Sequence, residues 1–126
     1  MEDKEFNEKL IQMVPEAKPG YEGEKRIYDE GEEPGSTIIV EDVLMPLVYK
    51  ALEDGDENLL SEFRTWLEEV ASLKDEVCEE IIYICVFEQA FSEKKLEELK
   101  KKAFGPLATA YLKTTIFGDE ENPPRI

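Results

Sequence analysis

The stretch Val77–Phe91, VCEEIIYICVFEQAF, decides the fold. Its middle, Ile81 to Phe87, is IIYICVF, seven residues without a charge. A run this short and apolar suits a buried strand or a buried helix, and periodicity alone does not separate the two. Punctuation does. There is no Gly or Pro between Asp75 and Gly105. Asp75 is a residue type that caps helix N-termini, and Glu76, Glu79 and Glu80 would place negative charge at the positive end of a helix dipole. The reading is a helix from about Glu76 to Phe91. Because it is apolar nearly all round, it is expected to be enclosed by its neighbours and to be the most buried element. Ile81, Ile84 and Cys85 are its expected inaccessible residues. Glu88 lies on one line with Val77, Ile81, Ile84 and Phe91, so a buried carboxylate is expected there, with Arg64, Tyr83 or Tyr111 as candidate partners.

Working outward, Lys4–Val14 sets Phe6, Leu10, Ile11 and Val14 at helical spacing, and Pro15 or Pro19-Gly20 stops the pattern. Residues 19–36, PGYEGEKRIYDEGEEPGS, hold four Gly, two Pro and six acidic residues and read as a long acidic loop anchored by Tyr21, Ile27 and Tyr28. Lys25–Tyr28 or Thr37–Val40 offers at most a short strand, and no sheet is expected. Val40–Glu53 reads as a helix with Asp42 as a cap and Pro46 in its first turns. Gly55 should close it and Asp56 open the next. Glu57–Leu73 is plainly amphipathic. Leu59, Phe63, Trp66, Leu67 and Val70 make one stripe, with Glu62, Thr65, Glu68 and Glu69 turned away. Ser92 would cap EKKLEELKKKAF, whose lysines complement the dipole at its end. Gly105-Pro106 separates it from a last helix, Pro106–Phe117. Residues 118–126 read as a loose tail. The expected fold is all-α, one domain, an antiparallel stack or bundle of about six helices.

Composition bounds the function. With 126 residues, 41% hydrophobic and 37% charged, the chain has enough material for one core and a heavily charged surface. No apolar run approaches the ~20 residues of a membrane span, and the N-terminus MEDKEFNEKL has no signal-peptide pattern, so a cytoplasmic location and no membrane partner are expected. The net charge is −16. Residues 1–93 carry 26 Asp/Glu and 8 Lys/Arg, net −18, and residues 94–126 carry 5 and 7, net +2. Such a surface repels nucleic acid and attracts basic proteins. The plainer reading of the same charge is a solvated surface that keeps the protein soluble.

No catalytic or metal-binding residue stands out, and no cofactor is expected. Histidine is absent, which removes the commonest general base and Ser-His-Asp or Cys-His catalysis. Cys78 and Cys85, seven apart on one helix, lie about 10 Å apart by helical rise, too far for a disulfide, and are expected as buried free thiols. Asp54, Asp56 and Glu57 lack the ligand order of an EF-hand. Phosphate-binding glycine motifs are missing too.

Residues 38–116 resemble a family of small bacterial all-helical domains that recur among immunity proteins of polymorphic and contact-dependent toxin systems. The matching pieces are VLMPLVYKALEDGD, LLSEFRTWLEEV, EEIIYICVFEQAF with its Phe87-Glu88 step, and LEELKKKAFGPL, ending in Gly105-Pro106-Leu107 after two lysine-rich turns. The resemblance implies a non-catalytic inhibitor that binds and blocks a basic toxin domain. The expected contacts are Glu22, Glu24, Asp29, Glu30, Glu32 and Glu33 in the loop, with Asp56, Glu57, Glu62, Glu68 and Glu69 on or beside the third helix. The alternative is another protein-interaction module, a regulator or a mimic of nucleic-acid charge. An enzyme ranks third, for want of a nucleophile–base arrangement.

Overall fold

Gly55 adopts φ 70°, ψ 32°, the left-handed conformation that ends a helix without steric cost to glycine. The next residue, Asp56, accepts the Leu59 backbone N–H at 3.1 Å and opens the following helix. Asp75 repeats the device, accepting the Cys78 N–H at 3.0 Å. These stops and starts delimit the helices at 57–72 and 76–92. The computed structural model describes residues 1–117, so the tail expected at 118–126 lies outside the described residues. Within them the protein is all-α, with seven helices and no strand. They are α1 (Asp3–Met13), α2 (Lys18–Lys25), α3 (36–54), α4 (Glu57–Ser72), α5 (76–92), α6 (Leu96–Ala103) and α7 (Pro106–Lys113).

The seventh helix is α2, cut from the first half of the expected loop. Pro19 sits in its first turn, where a missing N–H breaks no helical bond. Gly20 lies against α3: a Cβ there would stand 2.6 Å from Val43 Cγ1. Both residues looked like helix breakers, and both serve the helix by position or by packing. Only residues 26–35 are left as a connection. Tyr21 is buried as expected, but Ile27 is 77% exposed and anchors nothing.

Residues 36–54 form one helix, not a strand followed by a helix. Ser36 is its first residue, held from α1: Asp3 Oδ1 accepts its N–H at 3.1 Å and its hydroxyl at 2.8 Å. Asp42 is therefore interior and caps nothing. Pro46 is interior too. A proline cannot donate to the carbonyl four residues back and its ring crowds that carbonyl. The helix accommodates it with a π-helical segment at Ile39–Leu44, in which Met45 N–H reaches back five residues to Val40 O.

The core is centred on α4, not on α5. Helices α1, α3, α5, α6 and α7 all pack against α4. Trp66 is completely buried in its middle, with Phe6 of α1 edge-on at 5.8 Å and 88° and Phe63 one turn back at 5.8 Å. Helix α5 covers one flank. It buries Cys78, Ile81, Ile82, Cys85, Val86, Phe87 and Ala90. Phe87 packs between Phe104 and Tyr111, at 5.4 and 5.5 Å. The opposite side of α5 faces water: Val77 is 48%, Ile84 37% and Phe91 56% exposed. Glu88 is exposed as well, and needs no buried partner. Arg64 instead donates to Lys102 O at 2.6 Å, and the Tyr111 hydroxyl to Glu79 O at 3.2 Å.

The inverted side of α5 has a local cause. Ile82–Glu88 is a second π-helical segment, packed against the one in α3. Its wider turn puts three consecutive residues, Cys85, Val86 and Phe87, on the inner face and leaves Ile84 outside. Ser92 ends α5 and caps nothing; α6 starts at Leu96 after Lys94 takes a positive φ of 60°.

Candidate functional site: the acidic surface

The acidic residues expected to touch a partner divide into two groups. The first has internal work. Glu33 turns inward: its Oε2 accepts the Tyr21 hydroxyl at 2.6 Å and the Asn7 side-chain amide at 2.9 Å, and Lys25 lies 3.9 Å from its Oε1. Asn7 also donates to Pro34 O at 2.9 Å. The connection 26–35 is thereby tied to α1 and α2. Asp56 is the α4 cap. Glu68 reaches across to α7, where its oxygens accept the N–H groups of Leu107 at 2.9 Å and Ala108 at 2.8 Å. Pro106, at the first helical position, has no N–H to satisfy. A carboxylate at a helix N-terminus meets both orphan donors and the positive dipole end. Glu69 pairs with Lys9 of α1 at 3.3 Å.

Glu62 belongs to this group for another reason. It was expected to face solvent, yet it is half-buried with Oε1 wholly enclosed. Burial of Oε1, which has no hydrogen-bond partner, together with the nearby Glu16 carboxyl and the charge of Asp56, pushes its pKa up to about 7. Neighbouring carboxyls disfavour each other's ionisation.

The second group is open to solvent. Glu22, Asp29, Glu30, Glu32 and Glu57 are exposed, and Glu24 is half-buried. Lys18 is 3.9 Å from Glu22, a weak exposed contact. Among the described residues, Asp29, Glu30 and Glu32 are in no ion pair. The structure thus leaves Glu22 exposed on α2, and Asp29, Glu30 and Glu32 exposed on the connection 26–35. It does not join them to a uniform acidic face on α4, which is largely covered by other helices.

Of the line Val77, Ile81, Ile84, Glu88 and Phe91 expected to be buried, the structure buries only Ile81, and a further exposed strip runs along α5. On α5 the line Val77, Glu80, Ile84, Glu88, Phe91 steps outward by three and four residues. The signal was present: Glu80 and Glu88 lie four residues either side of Ile84, and a line holding two carboxylates is better placed in water than in a core.

The thiols offer no nucleophile. Cys78 and Cys85 are fully buried and unlinked, and burial pushes them up to about 11 and about 12, with the Glu41 carboxylate beside Cys85 adding to it. Such thiols stay protonated at neutral pH. Among the described residues no group of three or more Cys, Asp or Glu is placed to hold a metal ion, and no helix is long and apolar enough to cross a membrane. Comparison with protein-family models, with curated proteins and with solved structures finds no match to this chain.

Proposed function

We propose that this protein is a non-catalytic inhibitor of the immunity type, an acidic helical domain that holds and blocks a basic toxin domain. The observation that supports it best is the set of carboxylates without internal work. The chain carries 31 acidic residues against 15 basic ones. Asp29, Glu30 and Glu32 project from the connection 26–35, which Asn7, Tyr21 and Glu33 tie down, and Glu22 is exposed on α2. An acidic surface on a fixed scaffold attracts a cationic partner over roughly a Debye length, about 8–10 Å at physiological salt, and raises the association rate more than the lifetime of the complex. No chemistry is required of an inhibitor that works by covering its target.

The test is to change Glu22, Asp29, Glu30 and Glu32 together to Lys. All four are exposed, so melting should be little altered. A basic partner captured from the native host should then associate at least about ten-fold more slowly at low salt, with a flatter salt dependence. Protection of cells that express the partner should weaken in parallel. If rate, salt dependence and protection are all unchanged, the loop is not the contact surface and the reading fails.

A further inference from the structure

The exposed line on α5 is out of keeping with the rest of the surface. Val77, Ile84 and Phe91 recur every seven residues, and all three are more than a third exposed. At about 1.5 Å rise per residue they span roughly 20 Å, the length of about four helical turns. Glu80 and Glu88 alternate with them. From Asp75 to Glu93 the chain has no cation. Beside Val77 and Ile84 runs a groove of about 230 Å³, floored by Ile81 and bounded by Asp3 and the Gly35–Thr37 start of α3. On the other side Phe117 stacks on Phe91 at 5.0 Å and on Tyr83 at 5.5 Å, so the apolar strip widens at that end.

We propose that Val77, Ile84 and Phe91, framed by Glu80 and Glu88, dock a basic amphipathic helix of the partner protein. This rests on the reading of the protein as an acidic inhibitor and names the element it grips. An apolar line of this length accepts the i, i+3, i+4, i+7 anchors of a helix, and the carboxylates beside it select lysine or arginine at the flanking positions. A second copy of this chain is the wrong occupant, because its own strip would bring Glu80 and Glu88 against the same carboxylates. The chain's last residues, with Asp119, Glu120 and Glu121 against Arg125, carry the same sign. The π-helical turn gives the strip its origin: it is where Ile84 leaves the core.

The probe is a fluorescent peptide of about 18 residues built from Leu and Lys, with leucines at i, i+3, i+4 and i+7. A scrambled peptide of identical composition has the same charge but no apolar face. The full chain should bind the ordered peptide at least about ten-fold more tightly than the scrambled one. Val77→Lys with Phe91→Lys should abolish that difference while binding of the scrambled peptide persists. Circular dichroism of the variant checks its fold, and Glu80→Lys with Glu88→Lys, at exposed positions, provides a second variant that should weaken the ordered peptide. If both peptides bind equally and with strong salt dependence, the strip is not a docking site while the acidic-inhibitor reading stands. If neither binds at low salt, both fall. If sedimentation shows a dimer that Phe91→Lys dissociates, a second copy covers the strip and the proposal is overturned.

Discussion

The Glu68 carboxylate accepts the backbone N–H of Ala108 at 2.8 Å, joining two helices 40 residues apart in sequence. With the Leu107 N–H on its other oxygen, it is the N-terminal cap of α7 supplied by α4. Glu68→Ala should therefore cost about 1–2 kcal/mol, the range for a lost cap. Gly105 is part of the same contact, because a Cβ there would lie 2.6 Å from Glu68 Cγ. Gly105→Ala must push the carboxylate off its donors. Denaturant unfolding of both single variants and the double variant should show that the two losses do not add.

Glu62 makes stability depend on pH in a defined direction. Its folded pKa of about 7 lies above the ordinary carboxylate value. The folded state therefore binds the proton more tightly than the unfolded chain. Its contribution is fully present below about pH 4.5 and is lost as pH rises through about 7. Glu62→Gln mimics the protonated form. It should leave stability nearly unchanged at pH 5 and raise it by about 1 kcal/mol at pH 8, solvent at the half-buried site screening part of the penalty. Melting of variant and parent at both pH values measures the difference. A uniform change at both would refute the raised pKa of Glu62.

Asn7 is completely buried and holds the connection 26–35 through Glu33 and Pro34. Asn7→Ala leaves the Pro34 carbonyl and the Glu33 oxygen short of a donor, a loss of about 1–3 kcal/mol. The local effect should exceed the global one. Trypsin should cut after Lys25 or Arg26 much faster in the variant, whereas Tyr21→Phe, which removes one bond only, should fall between.

Ile82 and Ile84 are two residues apart and should behave as opposites. Ile82 is fully buried, and Ile82→Ala should cost about 2–5 kcal/mol. Ile84 is 37% exposed, and Ile84→Ala should cost under about 1 kcal/mol. Trp66→Ala, at the centre of α4, should cost about 3–5 kcal/mol. Equal losses at Ile82 and Ile84 would mean that α5 is enclosed on both sides.

The helices that announce themselves locally were legible in the sequence. Gly55, Asp56, Asp75 and Gly105-Pro106 act within a few residues of where they stand, and each marks a boundary found in the fold. The stripe of Leu59, Phe63, Trp66, Leu67 and Val70 likewise needs only its own spacing. What escaped depends on distant partners. Pro19 and Gly20 are read as breakers until Val43 is known to press against Gly20. Glu33 and Glu68 look like free surface charge until Tyr21, Asn7 and Ala108 are seen beside them. The inner face of α5 is not legible from spacing, because its apolar residues nearly encircle the helix and a π-helical turn changes the phase midway. For the acidic site, residue type was legible and availability was not: Asp29, Glu30 and Glu32 are open, while Glu33, Asp56 and Glu68 are committed.

The caps also imply an order of events. Helices α4 and α5 carry their own, Asp56 and Asp75, one turn away from the N–H groups they satisfy. Such helices can begin while the chain is still extended, since the loop to be closed is a few residues long. Helix α3 waits for Asp3, 33 residues away, and α7 waits for Glu68, 40 away. Neither N-terminus is satisfied until α1 and α4 have met them. Folding should nucleate on α4 and α5 and finish at the two ends that borrow their caps. Substitutions at Asp56 should then slow folding, while those at Asp3 and Glu68 should mainly speed unfolding.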